Sequence, residues 1–287
     1  MEKKSEKTNG ESDSIEVSRR DFLKIGMKTI LVASAAIPFL KSRPLLASVV
    51  DQLQRNRMAQ GYQTFENEQQ QLSQHYADTE HYWAYVIDPM KCIGCGKCVR
   101  ACKSENNVPD TFYRTWIERY VYFSHDNVRV DSPEGGLKGF PDIDNPEKVV
   151  KSFFIPKMCN HCEESVCVQV CPVGATFDSP DGVVLVDKKH CIGCGYCIQA
   201  CPYGCRFKNP QTHTADKCTL CYHRITKGLT TACISACPRG TRTLVDIKNK
   251  NDKELLAFFS KATLNVLKPE LGTKPKLYYT VLDKEVK

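Results

Sequence analysis

Cysteine is the residue whose spacing in this chain could do chemistry: sixteen of the seventeen fall into four groups of four. The runs are Cys92-x2-Cys95-x2-Cys98-x3-Cys102, Cys159-x2-Cys162-x4-Cys167-x3-Cys171, Cys191-x2-Cys194-x2-Cys197-x3-Cys201 and Cys218-x2-Cys221-x11-Cys233-x3-Cys237. A 4Fe-4S cluster requires four thiolates, so the grouping points to four such clusters and to one-electron transfer. Short gaps let consecutive backbone N–H groups turn toward the sulfurs, which lowers the cost of concentrating negative charge. Gly94, Gly96, Gly193 and Gly195 permit that tight wrapping. Zinc prefers two well-separated Cys-x2-Cys knuckles, and three cysteines at x2-x2 spacing leave too many sulfurs for one tetrahedral ion. A disulfide scaffold is the other alternative, and the clustering into quartets argues against it.

The second and third runs each close in Cys-Pro and resemble the bacterial two-cluster ferredoxin, in which three cysteines of a run hold one cluster and the fourth reaches across to the other. That resemblance implies one cluster on Cys159, Cys162, Cys167 and Cys201, and its neighbour on Cys191, Cys194, Cys197 and Cys171. The first and third runs share Cys-Ile-Gly-Cys-Gly, and the second and fourth share a Cys-Pro-x-Gly ending, which suggests a duplicated unit. One unit is contiguous (159–201); the other is assembled from the outer runs (88–103 plus 216–240). The same rule joins Cys92, Cys95 and Cys98 to Cys237, and Cys218, Cys221 and Cys233 to Cys102. Lys103 stands where the pattern has Pro, and eleven residues separate Cys221 from Cys233; both are expected to loosen local geometry without removing a ligand. Cys205 reads as a small buried residue. His161, His190 and His223 read as polar neighbours of the ligands. Lys91, Lys97, Arg100, Lys189, Arg206, Lys217 and Arg239 flank the runs, where some of them should raise cluster potentials.

The elements that must hold these loops follow from the rest of the chain. Tyr82–Ile87 reads as a strand entering the first run. The 56 residues between the first and second runs are too many for a simple loop, and 104–157 is expected to be a small antiparallel β insert. Its strands are Phe112–Phe123 and Val149–Ile155, around an exposed Pro/Gly/Asp-rich excursion at Asp131–Pro146. Ala175–Phe177 and Val183–Val186 form a hairpin between cluster loops. A helix is expected from Asp252 toward Lys268, and a final strand at Leu277–Leu282. The fold class is α+β: a duplicated two-cluster ferredoxin fold with a β insert and a C-terminal helix.

Upstream of this body, Ser18-Arg19-Arg20-Asp21-Phe22-Leu23-Lys24 and the apolar segment Ile25–Leu40 resemble a twin-arginine export signal. Residues 1–47 are assigned to it and 48–82 to a polar linker or helix. Ala33-Ser34-Ala35 offers a cleavage site, and a retained anchor is the alternative. The expected location is periplasmic, attached to the inner membrane through a partner. The formal charge of +7 invites a nucleic-acid reading. Residues 1–47 carry nine Lys/Arg and six Asp/Glu, leaving 31 against 27 in the remainder. Four clusters at about −2 each outweigh that surplus. Charge compensation replaces the nucleic-acid partner.

Together the four spacings, with Val266-Leu267-Lys268-Pro269 and Gly272-Thr273-x-Pro275, resemble the iron–sulfur subunit of dimethyl-sulfoxide-reductase-type membrane complexes, a group that also serves tetrathionate, polysulfide and nitrite reduction. The resemblance implies four 4Fe-4S clusters relaying electrons between a catalytic subunit, molybdopterin-type or multihaem, and an integral membrane quinone-interacting subunit. No catalytic residue of the chain's own is expected. A zinc-stabilised binding module and a self-contained reductase are the competing readings. Because cluster binding carries part of the folding free energy, removing iron with a chelator should collapse near-UV circular dichroism and expose the chain to protease; an apoprotein as resistant as the loaded one would contradict this.

Overall fold

The computed structural model describes Gln52 and residues 76–123, 127–249 and 264–286; the signal segment, most of the expected linker and residues 252–263 of the expected helix lie outside them, and at the expected end of that helix Asn265 instead bridges antiparallel to Tyr279. In chain order the strands are β1 (Trp83–Ile87), β2 (Thr115–Tyr122), β3 (Val128–Asp131), β4 (Lys151–Met158), β5 (Thr176–Asp178), β6 (Val184–Val186), β7 (Phe207–Lys208), β8 (Ala215–Asp216), β9 (Arg242–Asp246) and β10 (Leu277–Tyr279). The helices are α1 (Lys97–Asn106), α2 (Val166–Gln169), α3 (Tyr196–Ala200), α4 (Tyr222–Ile225) and α5 (Ala232–Ser235). Most are short because cysteine loops, not long elements, occupy the interior.

One sheet explains how the outer runs meet. β1 precedes the first run and β9 follows the fourth, and the two pair antiparallel with Ile87 opposite Arg242. β10 adds to the other side of β1 in parallel, Tyr85 opposite Leu277. Residues far apart in sequence thus anchor two cysteine loops side by side, with Tyr85, Ile87, Leu277 and Tyr279 buried beneath them. The inner runs are linked by the β5–β6 hairpin, where Phe177 faces Leu185 and Gly182 turns the chain at φ +81°.

Between the first and second runs, β3, β2 and β4 form an antiparallel sheet. The alternation of residues 112–123 and 149–155 marks two of these strands; β3 adds a third, pairing Arg119 with Asp131. β4 continues through Pro156 to Met158, beyond the expected end at Ile155, because it is an edge strand and a missing N–H there breaks no ladder. The excursion at 131–146 is not wholly exposed: Gly135 and Gly136 are buried, and a Cβ on Gly96 would lie 2.2 Å from the Gly136 carbonyl. The insert therefore leans on the first cysteine loop. Arg100 reinforces the contact, donating to the carbonyls of Leu137 and of Cys95.

Lys103 does not loosen this region. Without Pro at that position α1 runs for ten residues, and the Lys103 ammonium donates to the carbonyls of Pro109, Asp110 and Phe112 at 2.7, 3.1 and 2.9 Å. The packed body also starts upstream of the expected boundary at 83: Tyr76 donates to Asp181 at 2.5 Å and accepts from the Trp83 indole at 2.7 Å.

Gly96 and Gly195 occupy the same place in the repeated Cys-Ile-Gly-Cys-Gly motif, at φ +70° and +84°, but only Gly96 is crowded; nothing lies within 4 Å of a Cβ built on Gly195. Gly195→Ala should cost about 1 kcal/mol from backbone strain alone. Gly96→Ala should cost roughly 2–4 kcal/mol, since the backbone of the excursion must also move. Denaturant unfolding of the two iron-loaded variants checks the difference; equal losses would refute the contact.

Candidate metal centres

Each run opens with the same local geometry. The residue before the second cysteine has left-handed backbone in all four: Gly94 (φ +68°), His161 (+44°), Gly193 (+66°) and Leu220 (+53°). This reversal aims successive N–H groups inward, the concave arrangement that suits anionic sulfur. Glycine adopts it freely, whereas His161 and Leu220 each cost about 1 kcal/mol and depend on their surroundings to hold it. Both are buried. The His161 ring accepts from the Val184 N–H at 3.1 Å, so it props a loop.

The structure brings the fourth cysteine of each outer run across to the other run. One small cavity is lined by Cys92, Cys95, Cys98 and Cys237. A second is lined by Cys102, Cys218, Cys221 and Cys233. In the inner unit the Cys162 thiol is pushed up to about 12 by burial and by the neighbouring Cys159, Cys167 and Cys201. Cys197 faces Cys171; Cys191 and Cys194 stand on the loop leading into α3, which carries Cys197. Among the described residues no three His, Cys, Asp or Glu side chains converge closely enough for a single metal ion. The outer quartets surround a space, as a cubane requires.

Donors point at these sulfurs. Backbone N–H groups of Ala215, Leu220 and Thr241 each lie 3.4 Å from the sulfurs of Cys191, Cys218 and Cys237. The Asn106 amide is 3.7 Å from both Cys102 and Cys221. Burial pushes the thiols of Cys92 and Cys167 up to about 11 and that of Cys218 to about 12. Loading iron onto these groups must therefore release protons. Cys201 goes the other way, to about 5, because Cys205 donates toward it. The single proton of Cys205 has a second acceptor 3.1 Å away, the Met158 carbonyl; a charged sulfur is the stronger of the two.

The charges between the quartets are cations. Arg206 donates to the Cys167 sulfur at 3.0 Å, and its charge also acts on Cys197. Lys217, almost fully buried, donates to the carbonyls of Val184 and Cys218 and acts on Cys167 and Cys218. Arg242 lies 3.5 Å from the Cys98 sulfur. Sequence reasoning singles out Arg206 and Lys217 but misses Arg242. The signal was present: Cys201-Pro-Tyr-Gly-Cys-Arg206 and Cys237-Pro-Arg-Gly-Thr-Arg242 are the same motif, and the third run shares the Cys-Pro-x-Gly ending credited only to the second and fourth. Of the other flanking groups, His223 pairs with Glu105 at 2.7 Å on the surface, and Lys91 with Asp88 at 3.4 Å.

Comparison with known proteins identifies the kind of cluster. The 4Fe-4S dicluster domain pattern matches twice, over residues 91–175 and 150–247. The sequence is 39% identical over 210 residues to a tetrathionate reductase subunit of Salmonella typhimurium, covering 73% of this chain and 76% of the relative. It is 46% identical to the protein of the same name from Archaeoglobus fulgidus, over 70% of this chain and 82% of the relative. To a polysulfide reductase component of Wolinella succinogenes it is 36% identical, over 68% and 92%. Extended similarity to components of such complexes, carried by two dicluster domains, places this chain in the iron–sulfur electron-transfer subunit family of dimethyl-sulfoxide-, tetrathionate- and polysulfide-reductase-type complexes.

Proposed function

We propose that the chain relays single electrons through four 4Fe-4S clusters arranged in one line. A cubane held by four thiolates takes up and releases one electron at a time. Cys92, Cys95, Cys98 and Cys237 hold the cluster at one end; Cys102, Cys218, Cys221 and Cys233 hold the next. Cys159, Cys162, Cys167 and Cys201 hold the third, and Cys171, Cys191, Cys194 and Cys197 the last. The succession of neighbours supports this order: Cys98 feels Cys233, Cys218 feels Cys159, and Arg206 touches Cys167 while acting on Cys197.

The observation that carries the relay is the exposure around its two ends. The quartet of Cys102, Cys218, Cys221 and Cys233 is wholly buried and each other quartet has one buried cysteine, while Cys194 of the last is exposed. Met90 and Ile93 stand 76% and 54% exposed at one terminal loop, Ile192 and Tyr196 65% and 59% exposed at the other. Exposed apolar side chains over the two end clusters suit two partner proteins. One partner is a catalytic subunit, molybdopterin-type or multihaem; the other is a membrane quinone-interacting subunit. We assign residues 1–47 to twin-arginine export and the working location to the periplasmic face of the membrane. No helix among the described residues is long and apolar enough to cross a membrane.

Purified protein should be brown, with about sixteen irons and as much acid-labile sulfide per chain, and should be recovered from solubilised membranes with a catalytic and a membrane subunit. A colourless zinc protein would favour the binding-module reading, and turnover by the isolated chain the reductase reading. Replacing both Arg19 and Arg20 by Lys should leave the iron-loaded chain in the cytoplasm; unchanged export, followed by cell fractionation, would overturn the assigned route.

A further inference from the structure

Arg206 and Arg242 are almost fully buried, and among the described residues neither is paired with a carboxylate. A buried guanidinium left without counter-charge is strongly destabilising, so the compensating negative charge must come from elsewhere. The largest opposing charges on these two are sulfurs: Cys167, Cys197, Cys159 and Cys201 around Arg206, with a lesser effect between it and Asp178, and Cys98, Cys233 and Cys92, with the Tyr85 hydroxyl, around Arg242. Each set draws on two quartets.

The geometry shows how one side chain reaches both. Arg242 lines the Cys92–Cys95–Cys98–Cys237 cavity. It also donates to Thr115 Oγ1 at 2.9 Å and approaches Met158 Sδ at 3.6 Å, and both residues line the neighbouring cavity of Cys102, Cys218, Cys221 and Cys233. Arg206 repeats the arrangement, with one nitrogen on the Cys167 sulfur at 3.0 Å and the other on Thr176 Oγ1 at 3.2 Å. The two arginines fill the same place in the repeated motif, five residues beyond Cys201 and Cys237. A planar guanidinium with donors on both edges spans two anionic sites; an ammonium is a point charge.

Resting on the four-cluster reading, we propose that Arg206 and Arg242 are shared counter-cations, each raising the reduction potentials of the two clusters it lies between. An added electron makes a cluster more negative, and a fixed cation alongside stabilises that state. Because each cation serves two neighbours, the potentials within a unit move together, and those of the other unit do not.

The test is an EPR-monitored redox titration of the full chain carrying R206Q or R242Q, with iron and sulfide measured on the same samples. R206Q should move two of the four midpoint potentials to more negative values, R242Q the other two, and the charge-retaining R206K and R242K should move them less. Full iron and sulfide with four unchanged potentials overturns the proposal. So does movement of the same clusters by both glutamine variants, or a lysine shift as large as the glutamine one. Should a glutamine variant lose iron, its lysine counterpart decides: retained iron with potentials near those of the unsubstituted protein supports shared charge, and loss of iron there too overturns it. An unsubstituted protein with fewer than four clusters refutes the relay reading instead.

Discussion

Concentrating sulfur-bound negative charge inside one small body is the constraint on which everything else here depends. Seventeen cysteines stand between residues 92 and 237, and most of their side chains are buried or half-buried. Burial alone opposes the thiolate, as the raised thiols of Cys92, Cys162 and Cys218 record. The fold answers with a left-handed turn at the opening of every run, with N–H groups 3.4 Å from the sulfurs of Cys191, Cys218 and Cys237, and with buried cations nearby. In the proposed order Arg242, Lys217 and Arg206 alternate with the four quartets. The left-handed backbone at His161 and Leu220 belongs to the same answer, since strain of about 1 kcal/mol is small beside an unsolvated charge.

The local parts of this arrangement were legible because they are written in spacing. Cysteine gaps, the glycines of the Cys-Ile-Gly-Cys-Gly loops and the hairpin ending at Val186 are short-range patterns that any fold must respect. What escaped depends on contacts between distant segments. The motif that Arg242 shares with Arg206 does not say where its side chain goes until β9 carries it beneath the first run. β3 is too short and polar to announce itself, and it exists because Arg119 on β2 finds Asp131 at 2.6 Å. Lys103 read as a flaw because its three carbonyl partners lie beyond the end of the helix.

The insert shows how a sheet serves a cluster without binding it. Thr115 and Met158 sit opposite one another where β2 meets β4, and both touch Arg242. Arg114, next along, joins Asp216 at 2.7 Å and the Asn106 amide group at 3.0 Å. Asn106 in turn faces two sulfurs. The end of the sheet thus fixes the orientation of polar groups around the Cys102–Cys221 quartet, while its far side, with Val130 and Val150 exposed, carries no cysteine. Positional precision is its contribution.

Pairing of β1 with β9 has a consequence for how such a chain is made. The earliest cysteines to leave the ribosome belong to a cage whose last wall is synthesised more than a hundred residues later, while the central pair can close first. On the proposed ligand sets the contiguous unit is complete at Cys201, and a polypeptide terminated before Cys233 lacks a ligand for each outer cluster. Filling of the outer cages thus reports that synthesis has passed Cys237.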